Sequence, residues 1–505
     1  ILYLPWTIKP LWSPYIDVVW TKRKWTVWTQ FLLALTFMAV GLAMPFSFFY
    51  PVTIALFGLI AISSASHDIA ADGFYMYALD QHQQAFFVGI RSTFYRLAKL
   101  TALGLLPVIA GLVLLNTGLK PVNFSAGAVP QAEYKPFDPS GINIAQNEGE
   151  PEILVFPSEV VVPLSGHQSS GPDSAVVFIA LSAPPPEGET VVVNIARKGG
   201  SKDIDLARNQ TGRYEFTSEN WNEPVLAVIK VNRNLTEKSS AQFQVTAGNV
   251  AFSWVASLGT MGLILLLLAG WNKFMMPYPA ENDVKEKISW AVYRDVFVSF
   301  FTKPGVVPAL MFFLLYRFGE AQLFKIATPF LIDARTAGGL GMSSAQYGIV
   351  YGTVGVISLT LGGITGGITA ARFGLKKLIW MMALAMNIPI GVYVYLSGAQ
   401  PMPENILIYL SIALEQFGYG FGFTGYMLYM LHYVGESRYK TAEYAIATSL
   451  MALGMMLPGM ISGSVKELLG YQNFFVYVMI CAIPGLVAIK FLKIDPAFGI
   501  KKLAV

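Results

Sequence analysis

Pro304-Gly305-Val306-Val307-Pro308-Ala309-Leu310-Met311-Phe312-Phe313-Leu314-Leu315-Tyr316-Arg317-Phe318-Gly319-Glu320-Ala321 opens an apolar run that continues to residue 332. A stretch of this length exceeds the roughly 20 residues a helix needs to cross a bilayer. Yet Arg317 and Glu320 stand near its middle, three apart and so on one helical face. Ionisable groups at bilayer depth are costly and mark pathways or pairs. Comparable runs recur at 26–47, 48–72, 86–115, 249–271, 344–370, 375–397, 405–431, 441–464 and 472–492. Residues 1–16, beginning Ile1-Leu2-Tyr3-Leu4-Pro5-Trp6, read as the end of one more. Composition agrees: over 505 residues, 54% are hydrophobic, only 13% are charged, and mean hydropathy is +0.51. That leaves too little charged surface for a water-soluble enzyme of this size. The single cysteine, Cys481, excludes an intrachain disulfide, and the four scattered histidines point to no metal site.

Orientation follows from the basic residues, which stay on the cytoplasmic side of short loops. Loops at 17–25, 272–303, 371–378 and 432–441 and the segment after 489 hold 17 Lys and Arg, against Arg335 and Lys466 in the opposite short loops. The first set is expected to be cytoplasmic. Residues 116–248 break the pattern, being polar, with 10 basic and 15 acidic residues. Within them Ile153–Phe156, Ala175–Ile179, Thr190–Val193, Val225–Ile229 and Gln242–Val245 are short apolar runs between Pro, Gly, Ser and Asn clusters, the pattern of a β-sandwich. The expected organisation is therefore a helical half over 1–115 (end of helix 2 to helix 5) and a linker over 116–148. A sandwich over 149–248 on the outer, periplasmic side follows, then helix 6 at 249–271, a cytoplasmic central loop at 272–303, and a six-helix half over 304–505. Six spans after residue 300 against four and a part before it predict an all-α membrane protein of twelve helices, the first absent from this chain, with an inserted all-β domain. The basic membrane part is explained by anionic lipid and gives no case for nucleic acid.

Two loops at equivalent places in the halves look alike. Gly367, Arg372, Gly374, Lys376 and Lys377 match the signature G-x-x-x-D-R-x-G-R-R, with Ala371 at the acidic position; in the first half Asp17 holds that position, followed by Lys22, Arg23 and Lys24, and Ser13 replaces the glycine. Further stretches accompany them: residues 4–14 (LPWTIKPLWSP), 64–72 (SASHDIAAD), 95–98 (YRLA), 315–321 (LYRFGEA), 415–420 (EQFGYG), Leu453-Gly454 and 470–475 (GYQNFF). Together these resemble the major facilitator superfamily, in particular the branch of AmpG-type muropeptide permeases and acetyl-CoA transporters. The resemblance implies no enzyme and no cofactor. It implies inward transport of anhydromuropeptides across the bacterial inner membrane, coupled to protons, for recycling of peptidoglycan. The 133-residue insert, Ala98 where relatives have glycine, and the missing first helix depart from it. The insert, on residues 216–222 and a Pro-rich stretch at 184–186, resembles Calx-β-like repeats of bacterial surface proteins; the roles open to it are binding cell wall, capturing substrate or recruiting another periplasmic partner.

Residues that could carry the chemistry follow from charge and depth. Glu320 and Glu415 are candidates to take up the coupling proton, since on the resembling fold they fall on cavity-lining helices 7 and 10; Asp68 is a third. Arg317, Arg96 and Lys9 are candidates for a substrate carboxylate, and Tyr419 for a sugar face. Each has a plainer reading: Arg317–Glu320 as a packing ion pair, Glu415 as a hydrogen-bonded buried acid, Lys9 as a lysine snorkelling to the interface. Folding the helix hairpin about residue 82 brings Asp72 level with Arg91 or Ser92 and Asp68 level with Arg96. Asp17, Asp72, Arg91, Arg372 and Lys376 are candidate gating or ion-pair groups, because loop charges near helix ends can lock one conformation and release in another. The same machinery could move another cargo, an acyl-CoA, a siderophore or a peptide, or serve as an anchor for a receptor that presents the sandwich.

Overall fold

The computed structural model describes residues 3–501 apart from 47, 131–148, 165–173, 186–189, 208, 209, 211, 233, 234, 236, 249, 280–286 and 436. The chain forms two compact units. One comprises Ile1–Val40, Pro51–Gly104 and Met261–Val505; the other comprises Gly41–Tyr50 and Leu105–Thr260.

The first unit begins with α1 (Leu4–Ile8), a 3-10 turn (Lys9–Leu11) and α2 (Ser13–Val18). Pro5, Pro10 and Pro14 each sit in the first turn of one piece, where the missing N–H costs nothing, and Pro10 and Pro14 end the element before them. The expected helix end over 1–16 is thus a jointed segment. Then come α3 (Lys22–Ala43), α4 (Phe49–Ala78), α5 (Gln81–Asn116) and, after the insert, α6 (Val250–Met275). The stretch 272–303, expected as a loop, contains a helix, α7 (Trp290–Phe301), whose Val292, Val296 and Phe300 are buried at i, i+4 and i+8. The second half holds α8 (Val306–Leu315), α9 (Phe318–Ile332), α10 (Ser344–Tyr347), a π-helical stretch (Gly348–Gly355), α11 (Val356–Phe373), α12 (Leu375–Asn387), α13 (Gly391–Ala399), α14 (Ile406–Val434), α15 (Lys440–Cys481) and α16 (Ile483–Ile489).

Among the described residues nine spans are long and apolar enough to cross a membrane. The last, Lys440–Ile489, has 50 residues. As one rod it would be about 75 Å long, more than twice the hydrocarbon thickness. It is two passes, because Gly470 takes φ 70° and ψ 169° inside it. Its neighbours show the reversal. Gly454 abuts Leu314 and Gly459 abuts Lys325, whereas beyond Gly470 the ring of Tyr471 meets Phe330, then Gly319 abuts Val478 and Gly485 abuts Leu315. The two apolar runs expected at 441–464 and 472–492 are these antiparallel passes.

Glycines bring the second-half helices into backbone contact. A Cβ on Gly420 would collide with the carbonyl of Leu359 on α11, and one on Gly418 with that of Ala385 on α12. Residues 418–422 therefore let α14 approach two neighbours at once, closer than any larger residue allows.

The strands of the second unit form a sandwich. Its sheets run β3-β1-β9-β5-β7 and β2-β4-β8-β6, built from β1 (Leu119–Val129), β2 (Ile153–Phe156), β3 (Glu159–Pro163), β4 (Ser174–Leu181), β5 (Val191–Gly200), β6 (Ile204–Leu206), β7 (Arg213–Phe216), β8 (Val225–Val231) and β9 (Ser239–Ala247). Phe124 and Phe243 stack at 5.1 Å in a core with Val177, Ile179, Phe216, Ile229 and Val245. One expectation is corrected here. The first part of the linker placed at 116–148 is strand β1, paired antiparallel with β9 and parallel with β3. Its buried Phe124, Ala126 and Ala128 alternate with period 2, but small residues and the intervening Pro121, Asn123 and Gly127 disguise the strand. Residues 131–148 of that linker lie outside the described residues.

Candidate functional site

The span quoted at the outset is not one helix. It is unwound at Tyr316–Arg317, and Arg317, with φ −104° and ψ 13°, heads α9. A break at bilayer depth is tolerable only where other groups satisfy the released backbone. Here Tyr426 donates its hydroxyl to the Phe313 carbonyl, which the break frees, at 2.6 Å; the Tyr316 hydroxyl in turn ties the step to α14 by donating to the Gly422 carbonyl at 2.9 Å. The break aims Arg317 inward. Its Nε donates to Glu320 Oε2 at 2.9 Å, Nη2 lies 2.8 Å from the same oxygen, and Nη2 also donates to the Tyr419 hydroxyl at 2.7 Å. The guanidinium lies 4.8 Å from the centre of the Phe423 ring. Arg317 and Glu320 are each only 4% exposed, while Tyr419 and Phe423 are half-buried. The charges are thus fixed on one side by each other and covered on the other by aromatic faces.

Glu415 stands one turn before Tyr419 on α14, on the same stripe. It is buried. Gln416 Nε2 donates to its Oε2 at 2.7 Å, and the Tyr393 hydroxyl lies 3.5 Å from that oxygen. Gln416 also donates to the Tyr351 hydroxyl at 3.2 Å, and Tyr351 stacks on Tyr347, which reaches Thr328 at 2.9 Å. Tyr351 comes from the π-helical stretch, a geometry common at functional sites. Nothing in the sequence pattern marked Tyr351 or Tyr393.

In the first half the acids on α4 find bases from two directions. Arg91 of α5 forms an ion pair with Asp72, its partner in the hairpin register. Asp68 takes Lys9 instead, at 2.7 Å; the side chain of Arg96, its partner by counting, lies outside the described residues. The snorkelling reading of Lys9 is overturned, because the 3-10 turn between α1 and α2 points it inward and leaves it 1% exposed. His67, beside Asp68, has its Nε2 buried without a hydrogen-bond partner.

The halves meet at the loops with the charged signature. Asp17 pairs with Lys22 at 3.2 Å, and its Oδ2 accepts from the Ala442 N–H at 3.0 Å, in the first turn of α15 in the other half. A carboxylate there satisfies an orphan donor and the positive end of the helix dipole. Around it, Lys440 donates to the Met76 carbonyl at 3.3 Å and lies 3.9 Å from the Tyr77 ring centre. Next along α15, fully buried Glu443 holds Lys303 in an ion pair and accepts from Ser299 of α7 and from Ser437, both at 2.6 Å. Neither Glu443 nor Lys303 stood out in the sequence: Lys303 is one of several basic residues in a charged loop, and Glu443 sits at the very start of an apolar run. At the equivalent place in the second half, Arg372 and Lys376 are exposed and form no ion pair among the described residues. There the approach is made by glycines: a Cβ on Gly89 of α5 would collide with the Gly363 carbonyl of α11.

No family model matches the chain. Solved structures do. A crystal structure of the Escherichia coli fucose:proton symporter FucP superposes with a TM-score of 0.55 at 12% identity, covering 97% of this chain and 88% of that one. FucP in the outward conformation, a major facilitator superfamily transporter, gives 0.54 at 12% identity. The chain has the major facilitator fold. It carries a β-sheet insert in addition. By sequence it is similar to an uncharacterized protein of Haemophilus influenzae (28% identical over 247 residues, 47% of this chain and 55% of that protein). It is also similar to the anhydromuropeptide permease of E. coli K12 (23% over 243 residues, 47% of each). The chain thus spans about half the length of the curated relatives it matches.

Proposed function

We propose that this protein is a secondary active transporter of the bacterial inner membrane that imports anhydromuropeptides with protons. The observation that carries the reading is the Arg317–Glu320 pair at the broken span, faced by Tyr419 and Phe423 of α14. Buried ion pairs are a weak route to stability, and breaking a membrane helix to present one is better explained by a ligand or proton that uses it. The similarity to the E. coli permease supports the cargo. In this reading a substrate carboxylate competes with Glu320 for Arg317, and a proton on Glu320 makes the exchange affordable. Glu415, held by Gln416 and flanked by tyrosines, is the second proton site. Aromatic Tyr419 and Phe423 cover the uncharged faces of the cargo. Asp68, with Lys9, is the corresponding pair of the first half; Asp17, Asp72 and Arg91 are gate residues, and Arg372 and Lys376 engage in another state of the cycle. Contacts of Asp17 and Lys440 across the loops read as cytoplasmic make the described state closed on that side. Residues 116–248 then lie in the periplasm, where a Calx-β-like module would meet cell wall.

The test is uptake of labelled anhydromuropeptide by proteoliposomes, with and without an inward proton gradient, for the parent and Glu320→Gln. Gradient-driven uptake that disappears in the variant supports cargo and coupling together. Unchanged accumulation in Glu320→Gln removes that acid from the mechanism, and no uptake by folded parent protein removes the cargo. If the protein is instead a receptor anchor, deleting residues 120–247 abolishes function and Arg317→Ala does not; the transporter reading requires the reverse.

A further inference from the structure

After α16 the chain does not leave the membrane unit; it threads between the two halves. Ile494 and Phe498 are buried in the same core as Ala85 and Val88 of α5 and Ala370 and Leu375 of the second half. The turn at Asp495–Ile500 is self-braced, with Ala497 N–H donating to Asp495 Oδ1 at 2.9 Å and Phe498 N–H to the Asp495 carbonyl at 3.1 Å. Its outward bonds go to both sides. Toward the second half, the Asp495 N–H donates to His432 Nε2 at 3.0 Å, the Phe498 ring sits edge-on to His432 at 5.0 Å, and the Phe498 carbonyl accepts from the Leu375 N–H at 3.3 Å. Toward the first half, the Gly499 carbonyl lies 3.0 Å from His82 Nδ1 at the start of α5. Gly499 itself, at φ +90°, is wedged so that a Cβ would lie 3.4 Å from Ala85 Cβ and 3.3 Å from the Ala370 carbonyl.

We propose that residues 490–501 are a strap that holds the α5 start against the α11–α12 turn, keeping the cytoplasmic mouth shut at a second place besides the Asp17 contact. The reasoning is geometric. For the halves to part on the cytoplasmic side, Gly89 must leave Gly363, and His82 with Ala85 must leave Ala370. A segment bonded to both lips resists that separation, and one bonded by two or three weak contacts on the α5 side can release it. The glycine at 499 is what lets the strap lie in a gap only one carbonyl wide. Asp17 locks one pair of helices by a charge on a helix end; the strap locks the pseudo-equivalent pair, where Ala371 leaves the loop without an acid to do so.

The test reads the mouth directly and needs no cargo. Cys481→Ser removes the native thiol, and Gly363→Cys supplies a reporter whose Cβ meets only ordinary contacts, 3.5 Å to the Gly89 carbonyl. In inside-out vesicles, labelling by a membrane-impermeant maleimide is timed for this parent, for Phe498→Ala, for His82→Ala and for His82→Asn. Phe498→Ala and His82→Ala should each label at least about fivefold faster, as a shift of the closed-to-open population requires, with His82→Asn, which keeps an N–H donor, near the parent. Equal rates in folded His82→Ala and Phe498→Ala overturn the strap. Should Phe498→Ala not fold, His82→Ala decides alone, its ring being half-exposed. The inference rests on the fold and not on the cargo: absent muropeptide uptake with accelerated labelling leaves the strap standing, and intact uptake with unmoved labelling removes only the strap.

Discussion

Arg317→Leu is the perturbation whose consequence is best defined by the geometry. It removes the two guanidinium contacts to Glu320 Oε2 at 2.9 and 2.8 Å and the one to Tyr419 at 2.7 Å, and leaves Glu320, 4% exposed, without its cation. Removing one partner of such a pair costs about 3–5 kcal/mol, since the remaining charge stays buried and uncompensated. Replacing both partners by apolar groups of similar volume is neutral or stabilising by about 1–4 kcal/mol in comparable sites. The order of stability is therefore expected to be double variant above single variant: Arg317→Leu/Glu320→Leu should be more stable than Arg317→Leu by about 3 kcal/mol or more, and more stable than the sum of the two singles. The assay is thermal melting of the purified protein in one detergent, with the four members of the cycle measured side by side. Both variants should fail to transport. A double variant that melts as low as the sum of the singles would refute the reasoning, for it would mean that the two side chains act independently.

Gly420→Ala, whose Cβ meets the Leu359 carbonyl, should cost about 1–3 kcal/mol, and Gly463→Ala, with nothing within 4 Å, should stay within about 0.5 kcal/mol, both read by melting temperature. Asp17→Ala should lose about 1 kcal/mol of cap on the Ala442 N–H, and should speed maleimide labelling of a cysteine placed at Thr441, with Asp17→Asn intermediate. Lys303→Met leaves Glu443 fully buried without its cation and should destabilise more than the exposed Lys376→Met, which should be silent in the same melt. Phe243→Ala, opening the sandwich core beside Phe124, should cost the insert about 3–5 kcal/mol, seen as faster proteolysis within 119–247 while the membrane unit keeps its melt.

Much of this arrangement was readable from residue order, and the parts that were not share a cause. Apolar length located the spans, including the two that Gly470 separates, because hydrocarbon thickness dictates a length that composition reports directly. The 304–332 run also announced its charges. What it concealed was the break at Tyr316–Arg317: no Pro stands at the step, and Tyr426, which satisfies the freed Phe313 carbonyl, comes from a span 113 residues away. Asp68 illustrates the same limit. Hairpin counting within α4 and α5 places Asp72 by Arg91, but Lys9 arrives from a segment whose path depends on three prolines. Strand β1 was missed for a local reason, since Ala126 and Ala128 bury well but carry little of the β-branched signature by which strands are recognised.

The insert's two ends have a consequence for measurement. α5 ends at Asn116 and β1 begins at Leu119; β9 ends at Ala247 and α6 begins at Val250, with Leu119 and Ala247 paired across adjacent strands and Gly118 and Gly248 pressed against neighbouring backbone. Entry and exit are thus neighbouring, hydrogen-bonded strands. Excising 120–247 consequently leaves Leu119 beside Gly248, because Leu119 and Ala247 are register partners on adjacent strands. Register partners on neighbouring strands lie only about 5 Å apart, so a bridge of a few residues can rejoin the cut ends and the deletion can be read without pulling the two helices out of place.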